Sequence, residues 1–263
     1  MKSGLIPSKD GVELEQLAGV SKRIKPAMQR FDAPEILDSD ACLPHDAQNV
    51  LAVLGRINRW FGGVATTQRM VNRVAQVAAT KRLSLLEVAA GSGELPEIVR
   101  QRLARCGIAL DLTLLDIARS HLPGGDGVGS HAARNRSVVG NALALPFADG
   151  AFDLVGCNLF AHHLDPQQLK QFGREAVRIS RRAVLINDLV RHPLHLALAY
   201  AGYPLMRNRV AWLDGLTSVR RAYTPNEIQS ILESAFSPAT APRVEIACHY
   251  LYRMGVIVWK TRG

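Results

Sequence analysis

The run Leu83-Ser84-Leu85-Leu86-Glu87-Val88-Ala89-Ala90-Gly91-Ser92-Gly93-Glu94-Leu95-Pro96 constrains this chain more than any other stretch. An apolar β segment feeds an acidic residue, then a turn of small residues, then a helix. Small residues let the backbone turn tightly and a ligand come close, and the first helical turn offers amide groups with no intrahelical partner. In a parallel sheet such a turn lies at the carboxyl edge, where α/β folds hold their ligands. Glycines alone also suit a tight βα turn that binds nothing, so the register of the later elements decides between the two readings.

From residue 84 onward, short β-branched or Leu-rich runs alternate with segments of helical period, the pattern of an α/β sheet. Strands are expected at 84–89, 110–116, 137–140, 152–157, 182–188, 243–248 and 255–260, and helices at 95–106, 166–180 and 225–236. Several strands are apolar without alternation, as when both faces are covered. Asp165 before Pro166 is positioned as a helix cap, and Thr224-Pro225-Asn226-Glu227 reads as a capping box. Helical spacing at 47–60 and 65–79, separated by Gly62-Gly63, gives residues 1–80 the character of a helical cap, with the first 30 or so mobile. The main domain then runs over 81–263, with a loop at 122–130. Residues 189–221 form an apolar, Pro-interrupted insertion too long for an ordinary αβ connection and are read as lid-like.

Composition closes off several classes. With 263 residues, 48% of them hydrophobic, and a net charge of +9, the chain is globular rather than disordered. The apolar stretch 194–206 is too short for a membrane span and carries His195, Tyr200 and Pro204. The first ten residues have no apolar signal core, so the expected location is cytoplasmic. Cys42, Cys106, Cys157 and Cys248 form no metal-binding pattern, and no metal ligand set is assigned. The basic residues are scattered, so charge alone does not point to nucleic acid.

A second strand ends in Leu114-Leu115-Asp116, about twenty-five residues after the glycine turn, where a carboxylate can accept from both hydroxyls of a ribose. Asn141 then stands at a third strand edge, ahead of Ala142-Leu143-Ala144-Leu145-Pro146-Phe147 and Phe152-Asp153-Leu154-Val155. Together these residues resemble the class I S-adenosylmethionine-dependent methyltransferases. The resemblance runs over 83–180 and extends loosely to Arg59-Trp60-Phe61-Gly62-Gly63 and to 188–223. It is to the small-molecule branch that includes ubiquinone/menaquinone-type enzymes and those found beside type III polyketide synthases. It implies a Rossmann-like, seven-stranded, mostly parallel sheet with helices on both faces. It also implies S-adenosylmethionine as cofactor and S-adenosylhomocysteine as product. Carried over by position, the methionine end would lie near Glu87, Ala89, Gly91 and Gly93. Asp116 would hold the ribose, Ile117 would pack on the adenine, Asn141 and Ala142 would meet its edge, and Asn158 and Leu159 would line the methyl-donor side. Two positions depart from the family pattern. Ala89 replaces a glycine and is tolerated if its φ is negative; Asn141 replaces an acid, though its carbonyl still accepts.

Asn158-Leu159-Phe160-Ala161-His162-His163 places two imidazoles beside that edge. Either one, His163 before His162, is a candidate base for a substrate hydroxyl, since an unperturbed imidazole is largely neutral at pH 7; packing against the next helix is the alternative. His192 and His195 are weaker candidates. Leu194, Leu196, Leu198, Tyr200, Tyr203, Leu205 and Met206 suit either a greasy acceptor pocket or the core face of a helix. Arg191, Arg220 and Arg221 are candidates for an acidic substrate group. The reading is methyl transfer to a small, hydrophobic, aromatic or polyketide-derived acceptor, with oxygen preferred to carbon. Its alternatives are an RNA methyltransferase and a noncatalytic binding module.

Overall fold

The computed structural model describes residues 28–31, 33, 35, 55, 56, 58–122, 136–206, 208–249 and 252–260. Seven strands build one sheet: β1 (Arg82–Val88), β2 (Ala109–Asp116), β3 (Arg136–Val139), β4 (Phe152–Asn158), β5 (Ser180–Leu189), β6 (Arg243–His249) and β7 (Arg253–Trp259). Their order is β3-β2-β1-β4-β5-β7-β6, parallel throughout except for β7, which runs antiparallel to both neighbours. All seven expected strands form, with ends shifted by a residue or two. The helices are α1 (Gly63–Val77), α2 (Glu94–Arg105), α3 (Pro166–Ile179), α4 (Pro193–Ala201), α5 (Tyr203–Met206), α6 (Arg209–Arg221) and α7 (Pro225–Glu233).

Strand alternation divides the core into two layers. Leu83 and Leu85 of β1 pack with Val71, Val74, Val99 and Leu103 from α1 and α2. Leu86 and Val88 point the other way, to Phe172 of α3 and to Ile228 and Leu232 of α7. Helices therefore cover both faces, as the unalternating strands require. Both capping expectations hold: Asp165 accepts from the amides of Gln167 and Gln168, and Thr224 and Glu227 complete a reciprocal box. Because β7 is reversed, its first residue, Arg253, lies at the same sheet edge as the ends of β1, β2, β4 and β5. The expected loop at 122–130, apart from Leu122, the N-terminal segment as far as residue 27 and most of the 47–60 helix fall outside the described residues. The 189–221 insertion folds as α4, α5 and α6. No residue of α4 is buried, so its apolar side chains are not a core face.

Candidate active site

The carboxyl edge of the sheet opens into one continuous cavity of about 710 Å³, a size suited to small-molecule binding. Glu87, Ala89, Gly91, Asp116, Asn158, Leu159, His162 and His163 share its wall. Four other expected site residues do not. Gly93 instead caps α2 in the left-handed conformation, where a side chain would strike Leu114. Ile117 is 73% exposed to solvent, Asn141 turns its Oδ1 back to the amide of Leu143 at 2.8 Å, and Ala142 packs on the core. The short, strongly turned connection after β3 satisfies itself locally, and sequence spacing could not reveal that.

Ala89 departs from expectation in a second way. Its φ is +52°, not negative, so this residue carries its methyl group through backbone space that favours glycine. Gly91 follows at φ +53°, and a Cβ added there would meet open space. The Gly91 amide donates to Asp116 Oδ2 at 2.9 Å, while Oδ1 accepts from Ala118 N at 3.0 Å and from His121 Nδ1 at 3.2 Å. Burial opposes the charge of Asp116, but the bonds from His121, Ala118 and Gly91 outweigh it and hold the carboxyl below its ordinary range. An ionised carboxylate locked to the glycine turn can still accept from a ribose diol.

Glu87 is the complementary case. It is buried, its Oε1 accepts from Asn158 Nδ2 at 2.5 Å, and its Oε2 has no hydrogen-bond partner among the described residues. Burial pushes its pKa to about 7, against the Asn158 bond. A buried, half-satisfied acid on a cavity wall is suited to a cationic ligand group. Thr67 Oγ1 donates to Asn158 Oδ1 at 2.7 Å and accepts from Asn187 Nδ2 at 2.8 Å, tying α1, β4 and β5 to Glu87. Cys157, one residue from Asn158, is buried with its thiol pushed well up, first by burial and then by the nearby carboxylates, so it offers no thiolate nucleophile.

Beyond this edge the short 3₁₀ turn Ala161–His163 holds both imidazoles. His162 is buried; its Nδ1 lies 2.7 Å from Asp188 Oδ1 and its Nε2 3.4 Å from Glu35 Oε1. Burial disfavours its charge, but Asp188 and Glu35 override this and raise its pKa to about 9. His162 is therefore an imidazolium at neutral pH, which corrects its reading as a resting base. His163 is 24% exposed in the cavity wall, with Nε2 3.8 Å from Glu35 Oε2 and its ring stacked against Phe160. The side-chain polar atoms of Glu35, His162 and His163 lie within 4.8 Å of one another, but a protonated His162 has no lone pair to offer a metal ion. Sequence reasoning missed Glu35, which meets His162 from 127 positions away in the chain with no local motif to mark it.

The remaining candidates separate by contact. Arg191 is structural: it donates to the carbonyls of Met28 and Ala222, both at 2.6 Å, and pairs with Glu227. Arg220 bonds the Tyr200 hydroxyl, and Arg221 lines the cavity while donating to the His163 carbonyl. His192 caps α4, and His195 reaches the cavity with Nδ1 2.9 Å from the Val190 carbonyl. Leu189, Leu198, Ala199 and Val219 give that end apolar walls.

Residues 86–186 match the family profile of the methyltransferase domain. A malonyl-[acyl-carrier protein] O-methyltransferase of Methylococcus capsulatus is 35% identical over 186 residues, covering 66% of this chain. The chain spans 60% of that curated relative's length. The plantazolicin methyltransferase BpumL, solved in complex with SAH, superposes with a TM-score of 0.63 at 12% identity over 86% of this chain and 93% of its own. A putative O-methyltransferase from Nostoc punctiforme gives 0.52 at 16% identity over 81% and 60%. At such identities the solved structures speak to the fold alone. The chain thus matches a methyltransferase-domain profile over residues 86–186 and has the fold of the class I methyltransferases.

Proposed function

We propose that this chain transfers a methyl group from S-adenosylmethionine to an oxygen of a small aromatic or polyketide-derived acceptor. The supporting observation is the continuity of one cavity from the Ala89–Gly91 turn and Asp116, past Asn158, to the two histidines and the apolar wall of Leu189, Leu198 and Val219. Residues present fit the cofactor: Asp116 for the ribose, the unpartnered Oε2 of Glu87 for the cationic methionine end, and open space at Gly91. When bound, the cofactor supplies an electrophilic methyl group on sulfur. The chain's own work is then to seat the acceptor oxygen, exclude water and accept one proton.

His163 is the proton acceptor in this reading, being exposed in the cavity while His162 already holds its proton. The His162 imidazolium, held between Asp188 and Glu35, stands behind the His163 ring with ring centroids 4.3 Å apart. An apolar chamber favours a compact aromatic acceptor over a polynucleotide. The test is to incubate the purified protein with methyl-tritiated S-adenosylmethionine and either a panel of phenols or structured RNA, identifying products by mass spectrometry. A methyl ether on a phenol supports the reading. Label found only on RNA, only on carbon, or nowhere would reject it.

A further inference from the structure

Arg253 has no role in the chemistry above, yet it is one of the most confined cations in the molecule. It opens β7, pairs with Leu189 and His249 across the sheet, and is only 2% exposed. Its Nη1 donates to Asn187 Oδ1 at 3.1 Å, its Nε is buried with no hydrogen-bond partner among the described residues, and the side chain contributes to the cavity wall. No carboxylate among the described residues is hydrogen-bonded to it. The acid that favours its charge is Asp188, whose oxygens accept from His162 N and Leu189 N and meet His162 Nδ1. Burial brings the guanidinium down to about 10, so it is still charged at neutral pH.

A buried guanidinium normally satisfies its planar fork on a carboxylate or phosphate, and leaving it unpaired in a dry site is costly. Here Arg253 lines the same chamber as Leu189, Leu198, Val219 and His195. We propose that Arg253 is the anion anchor of the acceptor chamber, and that the acceptor is an aromatic or alkyl acid whose carboxylate seats on this guanidinium while its apolar body lies against Leu189, Leu198 and Val219. Naming that ligand as the acceptor rests on the methyl-transfer reading; the anion site itself does not. Arg253 stands two strands from β4, a backbone separation of roughly 10 Å at ordinary sheet spacing. An acid anchored here can present a hydroxyl to the β4 edge from its far end, so Arg253 selects by charge and length together.

The test titrates the SAH-saturated protein with 8-anilinonaphthalene-1-sulfonate, an apolar aromatic anion, and then displaces the dye with 2-naphthoate or the neutral 2-naphthamide. One dye per chain is expected, with naphthoate competing at least about tenfold better than the amide. Arg253→Met should weaken dye and naphthoate by about tenfold or more, the loss expected for one charge-assisted pair, and erase the preference for the acid. Calorimetric SAH affinity should stay within about twofold. If Arg253→Met does not fold, Arg253→Gln gives the same readout. Equal competition by acid and amide, no dye binding, a variant that keeps the preference, or a variant that loses SAH instead would each overturn the proposal. A wild-type protein that prefers naphthoate but binds neither SAH nor S-adenosylmethionine would leave the anchor standing and reject the methyl-transfer reading alone.

Discussion

Ala89 holds a left-handed backbone angle that alanine tolerates poorly, φ +52°, in the turn that Asp116 ties down through Gly91. Relieving that strain should cost the turn nothing, since a glycine there needs no side-chain contact. Ala89→Gly is expected to stabilise the fold by about 1 kcal/mol, seen as a higher urea midpoint with an unchanged slope. Ala89→Val, with a branched Cβ, should lower the midpoint. Glu87 makes a pH prediction whose sign follows from its pKa of about 7, above the ordinary 4.5. The folded apo protein favours the protonated acid, so this contribution to stability is complete below about pH 4.5 and is lost as pH rises through 7. A cationic ligand favours the carboxylate instead. Calorimetric affinity for S-adenosylmethionine should therefore climb between pH 6 and 8, and Glu87→Gln should flatten that climb. A wild-type affinity independent of pH across this range would remove Glu87 from the cofactor's cationic end.

At the level of elements, the strands were readable because each is a local apolar run, and α3 and α7 because their caps are local too. Tertiary partners carry no such mark. Glu35 reaches the histidines from the N-terminal segment, Thr67 of α1 bridges Asn158 and Asn187, and Arg253 becomes a cavity residue only because β7 is reversed. Asn141 shows a local constraint that spacing does not reveal: its Oδ1 accepts an Asx-type bond from Leu143 N. The Thr67 bridge gives a prediction for α1 as a whole. Thr67→Val keeps the shape but strips the hydroxyl from the buried Asn187 amide and the half-buried Asn158 amide, an expected loss of about 1–3 kcal/mol. It should also weaken cofactor binding, because Asn158 is then freed from the geometry that holds Glu87. Urea denaturation and calorimetry on the same variant separate the two effects, and a destabilised protein with native cofactor affinity would show that the bridge serves the fold alone.

Across the whole molecule, one cavity collects the ends of four parallel strands, the start of β7 and the three-helix insertion, so the proposed donor and acceptor sites share a single sheet edge. Alignment is where most of the rate should originate. Holding reactants in near-attack geometry can supply roughly 7–11 kcal/mol, whereas a general base contributes about 10²–10⁴-fold. In the proposed reading Asp116, which fixes Gly91, belongs to the aligning machinery through its carboxylate to the ribose, and His163 belongs to proton removal. Asp116→Ala is accordingly expected to raise KM for S-adenosylmethionine and cut kcat/KM by about 10³-fold or more. His163→Ala should leave that KM near wild type and lower kcat by about 10²-fold, a deficit that narrows at high pH as a phenolic acceptor ionises unaided. Steady-state kinetics over pH 6 to 10 with both variants decides the ranking. A His163→Ala enzyme that binds cofactor normally yet gives no turnover even at pH 10 would place proton transfer, not alignment, at the centre of catalysis.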